Sequence, residues 1–148
     1  MNKYVKGILA GLTATIVLSV LMVMKAMMGI MPALDLPGMI AGMMGVPDQR
    51  IVGWVVHFMI GVVLYGLAIA SFATAGNAVG RGVLIGFVGW VIMMLMLMPM
   101  VGAGFFGLNM GVMAPLMTLV LHLIFGAVLG WTYQRLVING VGPTSAYV

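Results

Sequence analysis

Two histidines stand inside apolar stretches of a chain that offers almost no other reactive side chain. His57 opens the run His57-Phe58-Met59-Ile60-Gly61-Val62-Val63-Leu64. His122 opens a similar run 65 residues later, His122-Leu123-Ile124-Phe125-Gly126-Ala127-Val128-Leu129. An ionisable group is costly to bury in lipid, so its presence there points to a role. Two imidazoles on facing helices can be the axial ligands of one haem b, the ligands of another metal, or stations of a proton relay. Arg50 and Lys25 lie toward the outer helix ends, where haem propionates could meet them, and Gly61 and Gly126 leave space one turn beyond each ring. The simpler alternative is that each neutral imidazole hydrogen-bonds across the bundle. Ser19 is at a suitable depth for this, and Thr118 stands one turn before His122. Such bonds are worth about 0.6–2 kcal/mol in membranes.

The histidine runs belong to a larger repeat. Lys6-Gly7-Ile8-Leu9-Ala10-Gly11 recurs 75 residues on as Arg81-Gly82-Val83-Leu84-Ile85-Gly86. The order of the two motifs is kept and only the connecting loop shrinks. This is a tandem repeat of a two-helix unit, with unit one at 5–73 and unit two at 80–135, and it places His57 and His122 at related positions.

Composition decides what surrounds these helices. The chain is 64% hydrophobic and 5% charged, with a mean hydropathy of +1.28. A soluble domain carries about 25% charged residues. So few charges cannot cover a globular surface in water, and the solvent must be lipid. The expected spans are 5–28, 50–73, 80–100 and 112–135, each near the roughly 20 residues that cross the hydrocarbon core. The fold expected is an all-α integral membrane bundle of four helices in one domain. The basic, apolar N-terminus has no small-residue cleavage site and reads as a retained helix. Between the first two spans, Pro32, Pro37 and Pro47 break the helix, and Gly38–Gly45 is too short to span, so a re-entrant or interfacial segment is expected. Asp48 is expected to cap the second span and Asn109 the fourth. Pro99 breaks the third span, and a frayed tail follows at 136–148.

Basic residues set the topology. Lys3, Lys6, Arg81 and Arg135 share one side; Lys25 and Arg50, offset by Asp35 and Asp48, share the other. The positive-inside rule puts both termini in the cytoplasm and makes the repeat parallel. The net charge of +4 is scattered singly and carries no nucleic-acid signature. The absence of cysteine excludes disulfides, thiolate metal sites and covalent haem attachment. No phosphate-cradling loop, zinc-protease helix motif or nucleophile elbow appears.

Glycine spacing is the strongest packing signal. Gly7 and Gly11, Gly82 and Gly86, and Gly126 and Gly130 are each four apart, while Gly61 is followed at that spacing by the bulky Tyr65. Small residues at this spacing lie on one helix face and let backbones approach closely, within one bundle or between subunits. The methionines clustered from Met93 to Met100 cover several helix faces and read as packing, with Cu(I) ligation the alternative. Lys25 is expected to snorkel or to pair with Asp35 or Asp48. Trp90 and Tyr65 lie deep enough to need internal partners.

The Lys6-Gly-Ile-Leu-Ala-Gly motif, the Pro99 break and the repeated His-x-x-x-Gly resemble YagU-like small multi-pass proteins of the bacterial inner membrane. The resemblance implies that localisation and no established reaction. The leading functional expectation is a non-catalytic accessory or scaffold subunit, packed in a homo-oligomer or in a larger membrane complex such as a respiratory one. A haem b electron carrier using His57 and His122 is the alternative. A small transporter or channel, with a path lined by Thr13, Thr15, Ser19 and the histidines, is the third.

Overall fold

Four long apolar helices carry the structure, a computed structural model that describes residues 1–31 and 33–139. They are α1 (Lys3–Met27), α3 (Arg50–Phe72), α4 (Ala78–Met100) and α5 (Met113–Asn139), each long and apolar enough to cross a membrane. A short helix, α2 (Leu36–Met43), lies in the first loop, and a 3-10 turn (Phe105–Met110) lies in the third. No strand occurs among the described residues. The chain is therefore a multi-pass helical membrane protein. α5 remains helical past residue 135 as far as Asn139, so the expected tail starts later. Its Gly140, Gly142 and Pro143 lie outside the described residues.

Each repeat unit folds as a hairpin, α1 with α3 and α4 with α5, and the hairpins join along α1 and α5. The glycines make the hairpins tight. A Cβ on Gly7 would strike the Gly66 carbonyl, and one on Gly11 would lie 2.7 Å from the Gly61 carbonyl oxygen. In the second hairpin a Cβ on Gly82 would strike the Gly126 carbonyl, one on Gly86 the His122 carbonyl, and one on Gly130 the Ala78 carbonyl. All of these approaches are between helices of the same chain. Alanines fill the space between the hairpins: Ala10, Ala14, Ala70 and Ala78 are buried with Leu18, Ile69, Phe125 and Leu129.

Two turns depart from α geometry. At Ile60–Leu64 and at Met93–Leu97 the helix widens into a π turn. The Tyr65 N–H reaches back to the Ile60 carbonyl and the Met98 N–H to the Met93 carbonyl. The π turn in α3 explains why Gly61 has no glycine four residues on. It adds one residue to the turn: Gly61 meets Gly11 as His122 meets Gly86, and Gly66, five residues on, meets Gly7 as Gly126, four residues on from His122, meets Gly82. Pro99 accounts for the second. Its ring has no N–H for the Leu95 carbonyl and crowds it, and the wider turn ahead gives room. α4 ends at Met100, one residue past Pro99, where the expected third span also ends.

Two caps differ from expectation. Gln49, not Asp48, occupies the cap position of α3, and it makes no side-chain bond. Asn109 stays within the third loop, where its Nδ2 donates to the Gly102 carbonyl at 3.1 Å. The segment expected to be re-entrant or interfacial holds the short, wholly apolar helix α2, capped by Asp35, whose Oδ1 accepts from the Gly38 N–H at 3.3 Å. α2 packs on the start of α3, where a Cβ on Gly53 would strike the Pro37 carbonyl.

The inserted residue yields a direct test. Deleting Val63 returns the glycine spacing in α3 to four and should cost under about 1 kcal/mol, because ordinary α geometry replaces the bulge. Deleting Val128 from the uninterrupted α5 shifts Gly130 off the α4 face and should cost several times more. Thermal unfolding in one mild detergent compares the two. Equal damage from both would show that the π turn is not an absorbed insertion.

Candidate functional site

The hairpins are not joined symmetrically. Under the repeat, the contact of α1 with α5 should be matched by one of α3 with α4. Instead α3 and α4 meet mainly through Tyr65–Phe72 and Ala78–Ile92, and they diverge toward the end that carries the first and third loops. The divergence leaves an apolar cleft of about 350 Å³. Both π turns line it, through Ile60, Gly61 and Leu64 on one wall and Met93, Met96 and Leu97 on the other. Leu36 and Ile40 of α2 close the loop end. Tyr65 and Phe125 line it where α3 and α4 come together, with their rings edge to face at 4.9 Å. Gly89 admits Tyr65: a Cβ there would strike the phenol oxygen. Ile60, Leu64, Ile92 and Met96 are exposed, so the cleft opens sideways between α3 and α4.

His57 and His122 both line this cleft. Counted at 1.5 Å per residue, they lie about 10 and 13 Å from the ends of their helices. The packing does not give them equivalent places: Gly11 meets Gly61 where its counterpart Gly86 meets His122, so His57 stands about one turn from the position that matches His122. Their surroundings differ. His57 is 8% exposed, flanked edge-on by Trp54 and Phe58, and its Nε2 is buried without a hydrogen-bond partner. His122 is half-buried, with Nδ1 2.8 Å from the Thr118 carbonyl of its own helix. A carbonyl only accepts, so Nδ1 carries the proton and Nε2 faces outward with a lone pair. Ser19 does not serve either imidazole, because its hydroxyl is buried with no partner. Nor do Gly61 and Gly126 simply make room for the rings. A Cβ on Gly61 would strike the Thr15 hydroxyl, and one on Gly126 the Gly82 carbonyl.

Thr118 ties the site to α4. Its carbonyl holds His122, while its hydroxyl, 2.8 Å from the Ala114 carbonyl, receives the Trp90 indole N–H at 3.1 Å. Trp90 thus has the internal partner its depth requires. Tyr65 has its aromatic contact with Phe125 but no hydrogen bond among the described residues. The methionine run divides: Met94 and Met98 are fully buried, while Met96 and Met100 stand exposed at the cleft.

The two cations near the loop end are already engaged. Lys25 neither snorkels nor pairs with a carboxylate. It is 8% exposed, and its Nζ donates to the Met31 and Leu34 carbonyls at 2.9 and 3.0 Å. Met31 adopts a left-handed backbone, φ 49°, which a non-glycine residue holds only under constraint. Arg50 pairs with Asp35 at 2.7 Å, an exposed contact worth little by itself. Neither is left free to receive a propionate.

Sequence reasoning does not reach Gly66, Gly89 or Gly53. The five-residue interval from Gly61 to Gly66 was the available signal for the first. Nothing local marks the other two, whose contacts come from remote elements.

These features define a four-span membrane bundle with a lateral, histidine-bearing cleft. The chain belongs to the family of unknown function DUF6789, whose model matches residues 1–139. No curated protein and no solved structure matches it.

The Lys25 clasp is separately testable. Lys25→Met keeps the apolar stem and removes both charge-assisted bonds, so it should destabilise the fold by about 1.5–3 kcal/mol. The first loop should also become the earliest site of proteolysis. An unchanged melting temperature and cleavage pattern would show that the loop is held by other contacts.

Proposed function

We propose that this protein is a non-catalytic subunit of the bacterial inner membrane that holds a lipid-soluble molecule in the cleft between α3 and α4. The observation that carries the reading is the buried, unpartnered Nε2 of His57 in the wall of a cleft it shares with His122. A small-molecule site is typically a mainly apolar concavity of about 300–1,000 Å³ with a few placed polar groups. This cleft has that character, and its mouth faces the bilayer rather than water. The distribution of Lys3, Lys6, Arg81 and Arg135 supports cytoplasmic termini, and the resemblance to YagU-like proteins supports the inner membrane. An accessory role in a homo-oligomer or larger membrane complex follows from the small loops, which offer no room for a catalytic domain. The glycine faces are used inside the chain, so partners would meet its lipid-facing surface instead.

Haem b is the second reading, favoured by the two imidazoles and by the Thr118 carbonyl that fixes His122, as a metal-ligating histidine is commonly fixed. Weighing against it, the two cations that could meet the propionates are already engaged, Arg50 with Asp35 and Lys25 with the Met31 and Leu34 carbonyls.

The test is to extract the protein from its own membranes in mild detergent, record its absorption spectrum before and after dithionite, and weigh it by native mass spectrometry. A colourless protein that retains an apolar adduct, and loses it in His57→Leu, is expected. A Soret band would establish the haem reading. Neither adduct nor colour would remove the binding role.

A further inference from the structure

The polarity of the cleft narrows the class of molecule it takes, if the binding role above holds. Three polar side chains line it: His57, His122 and Tyr65. No aspartate is among them, so no charge in the wall calls for a cationic ligand. The His122 imidazole spends its N–H on the Thr118 carbonyl at 2.8 Å. What it offers the cleft is the lone pair of Nε2, an acceptor. A molecule that meets this nitrogen must bring a hydrogen-bond donor or a Lewis acid. The described residues contain no group of three His, Cys, Asp or Glu that could hold a metal ion, which favours the donor. A quinone, an ester or an ether brings only acceptors and leaves Nε2 facing a lone pair. The His57 ring stands in the same wall, and its Nε2, buried without a partner, gains one if the ring turns toward a polar group in the cleft.

Size and wall chemistry fix the rest. About 150 Å³ of apolar cavity takes an unsubstituted benzene, so 350 Å³ takes a substituted ring with the first part of a tail. The edge-to-face pair of Phe125 and Tyr65 gives a ring an aromatic surface. Exposed Ile60, Leu64, Ile92 and Met96 let a tail leave into the bilayer.

We infer that the cleft is a binding site for a lipid-soluble hydroquinone, whose two hydroxyls supply a donor to His122 and a partner to His57. The inference concerns binding; no electron or proton is transferred to the protein.

The experiment uses the full chain in nanodiscs under argon, with empty nanodiscs as the blank. Three probes share one decyl tail: a 1,4-hydroquinone, its di-O-methyl ether and the matching quinone. Tryptophan quenching reads binding, because Trp54 lies 5.8 Å from the His57 ring. The hydroquinone should bind about tenfold more tightly than the ether, the ratio that one well-made hydrogen bond supplies. The quinone should also bind more weakly than the hydroquinone. His122→Leu should abolish the preference while keeping the ether's affinity, which shows that the variant is folded. Equal binding of ether and hydroquinone would overturn this inference and leave the apolar cleft standing. Tighter binding of the quinone would overturn it too. Failure of all three to bind would remove the cleft's binding role along with it.

Discussion

The close approach of bare backbones within each hairpin is the constraint on which the rest depends. In lipid there is no hydrophobic force to press helices together, so they associate by van der Waals contact and by polar contacts at short range. Gly7, Gly11 and Gly66 on one side, and Gly82, Gly86, Gly126 and Gly130 on the other, remove the side chains that would hold the backbones apart. The same contacts fix the depth of the histidines. Gly86 meets the His122 carbonyl itself, and Gly61, one turn beyond His57, meets Thr15 of α1. A helix sliding along its partner would lose these fits, and its imidazole would move with it.

The cleft arises where the duplicated plan is broken. Two identical hairpins would close into a ring of four contacts in two equivalent pairs. Here α1 and α5 are uninterrupted and pack along each other, while α3 and α4 carry the π turns and part. A π turn shifts the part of the helix beyond it around the axis while leaving the part before it in register. The glycine contacts near the termini therefore survive, and the segments toward the loops are free to separate. α2 and the third loop then cover the separated ends, with Leu34, Met94, Met98 and Ala103 forming a second small core there. Lys25 fastens this cover by binding two loop carbonyls, and Thr118 fastens α5 to α4 through Trp90.

Much of this was legible in the sequence because hydropathy, glycine spacing and repetition are local signals. The four spans and the tight glycine contacts between neighbouring helices come from them, whereas the expected equivalence of His57 and His122 is offset by a turn. The failures have a common cause. Lys25 has a positively charged head near a helix end, which reads as snorkelling; the Met31 and Leu34 carbonyls that capture it become visible only once the loop is folded. Ser19 lies at the right depth for an imidazole, yet depth does not fix which way a helix face points. Pro99 marks the helix end, which follows at Met100, but the π turn ahead of it leaves no mark in the sequence. The cleft itself could not be read, because it depends on a contact between α3 and α4 that fails to form.

An apolar gap between membrane helices is not in itself a site. A lipid chain can fill it at small cost, and nothing about its walls would then select one occupant over another. Burying a polar atom without a partner is different, since its desolvation is uncompensated whether the neighbour is protein or hydrocarbon. Ser19 and Thr132 also carry such atoms, so an orphan oxygen alone does not distinguish the place either. What does is the coincidence of an orphan nitrogen on His57, an outward lone pair on His122, and the enlarged space between two π turns. Each imidazole could have been satisfied by a threonine or serine on a facing helix, as the Trp90 indole is by Thr118. Ser19 is instead left unpaired in the same membrane. That coincidence, and not the apolar gap alone, is what the proposed binding role rests on.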